Sequence, residues 1–452
     1  MRKIFAKNLI ELAEKLDKSL YVVGGMVRNY LIDEYVSDDV DLAAGITVEE
    51  LIPFLNESGF KVVAEYKRTG TVNFSDGVNR YEYTAFRKEK YLGGEHVPSV
   101  TEFTEDINED ALRRDFKCNA VYYDLKNDEY VDPLGGIEDI KNKVLDTVTL
   151  PDKVFSNDGL RLMRLARFSG ELNFTPTEAV MEAAKKHAKN IKEISPERIY
   201  SELLRILHAD EKYSFSDPQG HYTGLKILDK TTVLDGIFPE LTDGRNMAQR
   251  ADFHKYDVLK HSLRCVLYAN KKVRLAALLH DVGKPFCKLR DGNSYEHPAE
   301  GANLAKEILT KLKAPKKLTD EVCALVLWHM YDFDCKTNEN KLRRFFVAHY
   351  TILEKLLLLK QADFSACADD TSPAPTCVKW RKLLQKMQAE HAPLTLKELA
   401  ISGNDLLMLE VPPYRIAEFL RRLLTHAVCF PKDNEKTRLL RLASGYLKEE
   451  KR

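Results

Sequence analysis

The sequence predicts an α+β protein in which a small mixed head leads into a long all-helical body. Three observations carry this. Strand and hairpin patterns crowd into roughly the first 140 of the 452 residues. From about residue 155 the periodicity turns helical and strand signals nearly vanish. The chain is also too long for one compact core, so two to four domains are expected.

In order along the chain, Phe5, Leu9, Leu12 and Leu16 recur at helical spacing and predict an amphipathic first helix. A short strand over 20–23 runs into Gly24 and Gly25 and then a second helix over 26–31. Asp39-Val40-Asp41-Leu42 alternates carboxylate and apolar side chains, as a strand does. Residues 72–75 and 80–86 flank Asp76-Gly77, a hairpin signal, and 120–125 with 129–131 form another around Lys126-Asn127-Asp128. In the helical part, polar stretches at 214–220 and 370–375 are the expected joints.

Sixty-nine basic and 69 acidic residues leave no net charge, so a polyanionic partner would have to be held by local clusters. The eight cysteines are scattered with no C-x-x-C pair, which predicts reduced thiols in a reducing compartment. No apolar run approaches the roughly 18 residues of a membrane span. Glu11, Glu14 and Asp17 argue against a signal or transit peptide, so a cytoplasmic enzyme with no membrane partner is expected.

Chemistry concentrates first in Val22-Val23-Gly24-Gly25-Met26-Val27-Arg28, a strand, a tight turn and a helix start. Glycines there let the backbone approach a ligand, the helix start offers free N–H groups, and Arg28 adds charge. Most Gly-Gly turns bind nothing. Eleven residues on come Asp39 and Asp41. At positions i and i+2 of a strand they face one side, about 6.8 Å apart, and can bridge two divalent cations held about 3.5–4 Å apart. In isolation such a pair is more often a solvated strand edge; behind a glycine turn and an arginine the functional reading leads. Glu82, on an alternating strand, is either a third carboxylate or a solvent-facing side chain.

Arg161, Arg164 and Arg167 recur every three residues on one helix face. Three neighbouring guanidinium groups repel, so only a polyanion or buried carboxylates would make the row favourable. Asp158 either caps that helix or pairs with Arg161 to present a fixed hydrogen-bonding edge to a base.

Five ordered motifs then carry a resemblance: Gly24-Gly25-Met26-Val27-Arg28, Asp39-Val40-Asp41, Arg113-Arg114-Asp115-Phe116-Lys117-Cys118-Asn119-Ala120, Asp132-Pro133-Leu134-Gly135-Gly136, and Asn157-Asp158 with Arg161, Arg164, Arg167 and Phe168. Over residues 20–210 the chain resembles class II tRNA nucleotidyltransferases, the CCA-adding enzymes, and their bacterial poly(A) polymerase relatives. The resemblance implies a polymerase-β-like head and addition of CMP and AMP, from CTP and ATP, to the 3′ acceptor end of tRNA. By the same resemblance Asp39 and Asp41 would bind Mg²⁺. Gly25, Arg28 and Arg114 would contact triphosphate and sugar, Asp158 and Arg161 would pair with the incoming base, and Arg164 and Arg167 would line the same pocket. Residues 87–105, with Tyr91, His96, Pro98 and Phe103, look like the family's flexible loop, which matters for switching from C to A. The sequence departs from the pattern at Asn29, where aspartate is usual, at Lys117-Cys118, and at Asn157, where glutamate is usual.

A second constellation follows. An apolar helical run over 273–279 ends in His280-Asp281-Val282-Gly283-Lys284-Pro285. Adjacent His and Asp at a helix end can reach one metal, His261 and Asp363 can complete a mixed N/O shell, and His297 with His329 can hold a second metal or a phosphate. Alone, each histidine would be an ordinary surface or core residue. Residues 250–370 resemble HD-superfamily phosphohydrolase domains, which implies His261, His280, Asp281 and Asp363 as ligands of a second divalent metal. The tail is rich in Lys and Arg and can cradle tRNA or simply be solvated. The expected organisation is a head over 1–150, a helical neck and body over 151–245, an HD domain over 246–370 and a tRNA-binding tail over 371–452. Rival outputs are an A-adding-only enzyme, a poly(A) polymerase, or an HD-type metal phosphohydrolase with an RNA-binding head.

Overall fold

The structure, a computed structural model, describes residues 1–36, 39–90, 100–250, 252 and 254–450. Tyr91, His96 and Pro98 of the expected loop lie outside the described residues. The chain divides into two compact units, Met1–Thr242 with Lys311–Lys313, and Asp243–Thr310 with Ala314–Arg452. The architecture is α+β, a sheet-bearing head with helices making up the remainder.

The head holds α1 (Lys7–Lys15), β1 (Tyr21–Val23), α2 (Gly25–Asp33), β2 (Asp39–Ala44), α3 (Val48–Glu57), β3 (Lys61–Tyr66), β4 (Thr71–Ser75), β5 (Arg80–Ala85), β6 (Arg87–Lys90), β7 (Val100–Phe103), α4 (Ile107–Leu112), β8 (Tyr122–Asp124), β9 (Glu129–Val131) and α5 (Gly136–Asn142). Seven strands form one sheet in the order β3-β4-β5-β2-β1-β8-β9. Only β2 and β5 run parallel; the other pairs are antiparallel. Strand β2 is thus central, and its pleat sorts its side chains: Val40 and Leu42 are buried while Asp39 and Asp41 are exposed on the opposite face. The β4–β5 hairpin turns where Asp76 Oδ1 accepts the Val78 and Asn79 amides at 2.9 and 2.6 Å. Strands β6 and β7 pair antiparallel as a separate ribbon, so both ends of the 87–105 segment are ordered strand.

Helix α3 and strand β3 had no clear sequence signal. The former starts at a capping box in which Thr47 and Glu50 exchange hydrogen bonds. The neck adds α6 (Pro151–Asn157), α7 (Leu160–Leu172), α8 (Glu178–Lys186), α9 (Pro196–Leu207), α10 (Gly220–Lys230), α11 (Val233–Ile237) and α12 (Pro239–Thr242). Helix α7 is buried almost throughout. It meets α10 at glycine: a Cβ on Gly170 would lie 2.4 Å from the Gly220 carbonyl oxygen, so side chains are excluded there. The polar 214–220 stretch is therefore a loop inside this unit.

The second unit contains α13 (Val258–Tyr268), α14 (Arg274–Leu279), α15 (Gly283–Asp291), α16 (His297–Lys311), α17 (Lys316–Trp328), α18 (Glu339–Ala348), α19 (Tyr350–Ala368), α20 (Pro375–Ala389), α21 (Gly403–Leu407), α22 (Ile416–Ala427) and α23 (Lys436–Glu450). Its last helices bury Leu406, Phe419, Leu423 and Leu439 in a core of their own. All eight cysteines are free thiols. Among the described residues no helix is long and apolar enough to cross a membrane.

Candidate active site and metal centre

Asp39 and Asp41 share one face of β2, and the parallel register sets Glu82 of β5 directly beside Asp41. Glu82 is exposed on the same alternation, so three carboxylates crowd one surface. The Asp41 carboxyl is pushed up to about 6, first by burial and then by the Glu82 charge, with Arg114 and Arg164 opposing and Asp39 adding to the rise. Such mutual repulsion is what a bound cation relieves. Above the strand, Gly24 has φ +77°, and a Cβ there would touch Asp41 Oδ2 at 3.4 Å. The turn is thus held close against the carboxylate face.

The arginines divide by what holds them. Arg28 is buried, and its Nε and one terminal nitrogen donate to Asn29 Oδ1 at 3.0 and 2.8 Å while the other donates to Asn119 Oδ1. Both partners are neutral amides, so among the described residues no carboxylate cancels its charge. Arg161 is likewise held by main-chain oxygens, those of Arg113 (2.6 Å) and Val154 (3.4 Å). Arg114 instead pairs with Asp110 at 2.9 Å and donates to the Tyr122 hydroxyl. Burial would raise the Asp110 carboxyl, but Arg114 and Arg113 hold it down to about 2. Arg164 pairs with Asp115 at 2.6 Å.

Arg167 turns inward, between Glu171 at 3.1 Å and Glu202 at 2.7 Å. Buried carboxylates thus reconcile two members of the arginine row. Asp158 Oδ1 accepts the Leu160 amide at 2.9 Å from one residue ahead of the cap position of α7, which is Gly159. The Arg28, Arg164 and Arg167 guanidinium groups gather 5.1, 5.1 and 4.1 Å from the Phe168 ring centroid. A continuous chain, Arg28–Asn119–Asp115–Arg164, ties the glycine turn to α7. The sequence signals the Asn119–Asp115 link only through their four-residue spacing.

In the second unit, His261, His280, Asp281, His297 and His329 are buried around one point, with Asp363 at its edge. His261 Nε2 lies 3.0 Å from Asp363 Oδ1 and 3.2 Å from His280 Nε2. Asp281 reaches two ways: Oδ2 is 3.3 Å from His280 Nε2, and Oδ1 is 3.3 and 3.7 Å from the Nε2 atoms of His297 and His329. Lys284 Nζ is 2.6 Å from Asp281 Oδ2, an ion pair without hydrogen-bond alignment, so neither buried oxygen has a directed donor.

The rings of His280, His297 and His329 donate Nδ1–H to the carbonyls of Ala277, Ser294 and Val326 at 2.8, 2.6 and 2.6 Å. That fixes a proton on Nδ1 and turns each Nε2 toward the centre, a bare acceptor wherever the ring is neutral. His297 and His329 then face each other Nε2 to Nε2 at 3.2 Å. Two lone pairs at that distance repel unless a cation lies against both. Burial holds the His329 ring down to about 4, so it stays neutral. Burial would raise Asp281, but His280 and Lys284 keep it well below the ordinary carboxylate range. The donor set suits divalent metal: His261, His280 and Asp363 on one side of Asp281, His297 and His329 on the other.

Comparison with known proteins matches these units to known families. Residues 20–146 match the Poly A polymerase head domain, 173–244 the model described as probable RNA and SrmB-binding site of polymerase A, and 254–363 the HD domain. The class is therefore a nucleotidyltransferase head with an RNA-binding region and an HD domain, which implies use of divalent metal. The CCA-adding enzyme of Lactobacillus helveticus is 36% identical over 203 residues, 45% of this chain; the chain spans about half that protein's length, 49%. The A-adding tRNA nucleotidyltransferase of Deinococcus radiodurans is 30% identical over 355 residues, 74% of this chain and 78% of that protein. The crystal structure of the Bacillus stearothermophilus CCA-adding enzyme in complex with CTP superposes with a TM-score of 0.65 at 23% identity, covering 98% of both chains, a likeness of fold. The chain belongs to the class II tRNA nucleotidyltransferase family and carries an HD domain.

Proposed function

We propose that the chain adds CMP and AMP to the 3′ end of tRNA from CTP and ATP, releasing pyrophosphate, without a nucleic-acid template. The observation that carries this is the pairing of a three-carboxylate face with a buried, amide-held guanidinium. Asp39 and Asp41 are the ligands for Mg²⁺, with Glu82 beside them. When bound, the metal activates the tRNA 3′-hydroxyl and screens charge on the phosphoryl oxygens. Arg28 offers the triphosphate an uncompensated positive charge, and Gly24 and Gly25 let the main chain approach it. Arg114, held by Asp110, and Arg164, held by Asp115, are rigid guanidinium groups close enough to the carboxylate face to act on Asp41. Asp158, fixed by the Leu160 amide, and Arg161, fixed by main-chain oxygens, present the edge that reads the base. Arg167 supports α7 from behind through Glu171 and Glu202.

The eight free thiols support a cytoplasmic setting. Output is tested by offering tRNAs that end before C74, at C74 and at C75, with each nucleotide separately. Growth of all three to the complete CCA supports the proposal. Extension only of the C75 end makes it an A-adding enzyme, and long A tails make it a poly(A) polymerase. Converting Asp39 or Asp41 to Ala abolishes incorporation while the fold persists; unchanged activity removes both from the mechanism.

The second centre supports a further role. We read His261, His280, Asp281 and Asp363 as one divalent-metal site and Asp281, His297 and His329 as a second, together hydrolysing phosphoesters such as 3′-terminal or cyclic phosphates. Phosphate release that survives His280→Ala and Asp281→Ala would refute that reading.

A further inference from the structure

Of the six residues around the HD centre, His261 is the exception in its hydrogen bonding. The other three rings anchor Nδ1 on a main-chain carbonyl. His261 is fully buried, spends Nε2 on Asp363 and His280, and leaves Nδ1 buried with no hydrogen-bond partner among the described residues. A buried ring nitrogen in that condition costs stability unless something binds it. Its neighbours are His254, whose ring stands edge-on at 4.8 Å and whose Nδ1 is also buried without a partner among the described residues, and Cys367, one turn beyond Asp363 on α19. The ligand atoms of His254, His261 and Cys367 lie within 4.8 Å of one another.

The main chain holds this group in place. The Lys255 amide donates to the Cys367 carbonyl at 2.8 Å, which clamps the His254 segment onto the end of α19. Asp369, two residues on, accepts from the Tyr268 hydroxyl at 2.9 Å and also from Tyr256 and Arg264. The His254 and Cys367 segments are thereby held by contacts other than those of the HD ligands.

We propose that His254, His261 and Cys367 form a third metal position, a two-nitrogen, one-sulfur set that takes a borderline-soft divalent cation such as Zn²⁺. It rests on the reading of the HD residues as a metal centre, because His261 belongs to both sets. A thiolate selects against Mg²⁺ and for zinc-like ions, whereas the carboxylate-bearing HD set accepts harder cations. Binding forms a metal–sulfur bond, and the thiol proton passes to solvent; when both positions are filled the His261 ring proton leaves as well, so that the ring bridges as an imidazolate. His261 joins the two positions, so a cation at one alters affinity at the other.

The test is titration of the full chain with Co²⁺, reading the near-ultraviolet sulfur-to-cobalt charge-transfer band together with the visible ligand-field bands. The wild type is expected to show both. Cys367→Ser and His254→Ala lose the charge-transfer band while Co²⁺ still binds, and Cys265→Ser, a buried control thiol, keeps it. Co²⁺ binding without the band, or a band that survives Cys367→Ser, overturns the third position and leaves the HD centre standing. His280→Ala separates the two: it weakens the ligand-field bands of the HD centre and retains the thiolate band. If no Co²⁺ binds at all, both readings fall. Tryptophan fluorescence, from Trp328 and Trp380 of the same unit, verifies that each variant is folded.

Discussion

Replacing Asp41 by asparagine should make the metal-free head more stable at neutral pH while destroying its activity. The Asp41 carboxyl rises from 3.8 to about 6 in the folded chain, chiefly through burial and the Glu82 charge. A carboxyl raised on folding is penalised when ionised: the penalty is absent below about pH 4 and complete above about pH 6. Two pH units correspond to about 3 kcal/mol. Because the side chain sits on a solvent-exposed face, screening reduces that to about 1 kcal/mol.

Asp41→Asn never ionises, so in EDTA it should gain about 1 kcal/mol at pH 8 and nothing near pH 4. Both tryptophans, Trp328 and Trp380, lie outside the head unit, so fluorescence does not report on this change. Amide hydrogen exchange at Val22 and Leu42, on the paired strands β1 and β2, does. Equal or lower protection in the variant at pH 8 would show that the carboxylate face is not electrostatically strained, and the argument for a cation there would lose its basis.

Three other outcomes follow from the same geometry. Arg167→Ala strands Glu171 and Glu202 in the interior and should cost the head unit about 3–5 kcal/mol, with KM for CTP unchanged in the folded fraction. A raised KM without loss of stability would assign Arg167 to the nucleotide instead. Arg28→Ala removes the buried cation beside the glycine turn and should raise nucleotide KM about tenfold, or about 1.4 kcal/mol; an unchanged KM would remove Arg28 from triphosphate binding. His329→Ala should lower by one the number of metal ions the HD centre retains in equilibrium dialysis against Mn²⁺, and an undiminished count would exclude the His297–His329 side as a binding position.

Much of the site was legible because its chemistry is written locally. A two-residue alternation puts Asp39 and Asp41 on one face whatever the rest of the sheet does, and β2 bears that out. The α+β division was also plain, since the period of apolar residues changes near residue 155. What pattern could not supply was partnership across long separations. Nothing near Arg167 announced that Glu202, 35 residues away, would pair with it. Glu82 could be placed beside Asp41 only once β2 and β5 were known to pair in parallel. The split role of Asp281, one oxygen toward His280 and the other toward His297, likewise depends on helices that meet only in the folded unit. Helix α3 and strand β3 went unread because a proline, Pro53, interrupts the first and the second alternates weakly.

The amides around Arg28 also bear on what leaves the cleft. A buried cation whose partners among the described residues are amides does not distinguish an arriving triphosphate from the pyrophosphate cut from it, since both present the same terminal oxygens. The by-product should therefore be the slow-departing species, and millimolar pyrophosphate should run the reaction backwards, stripping the last residue from a finished end.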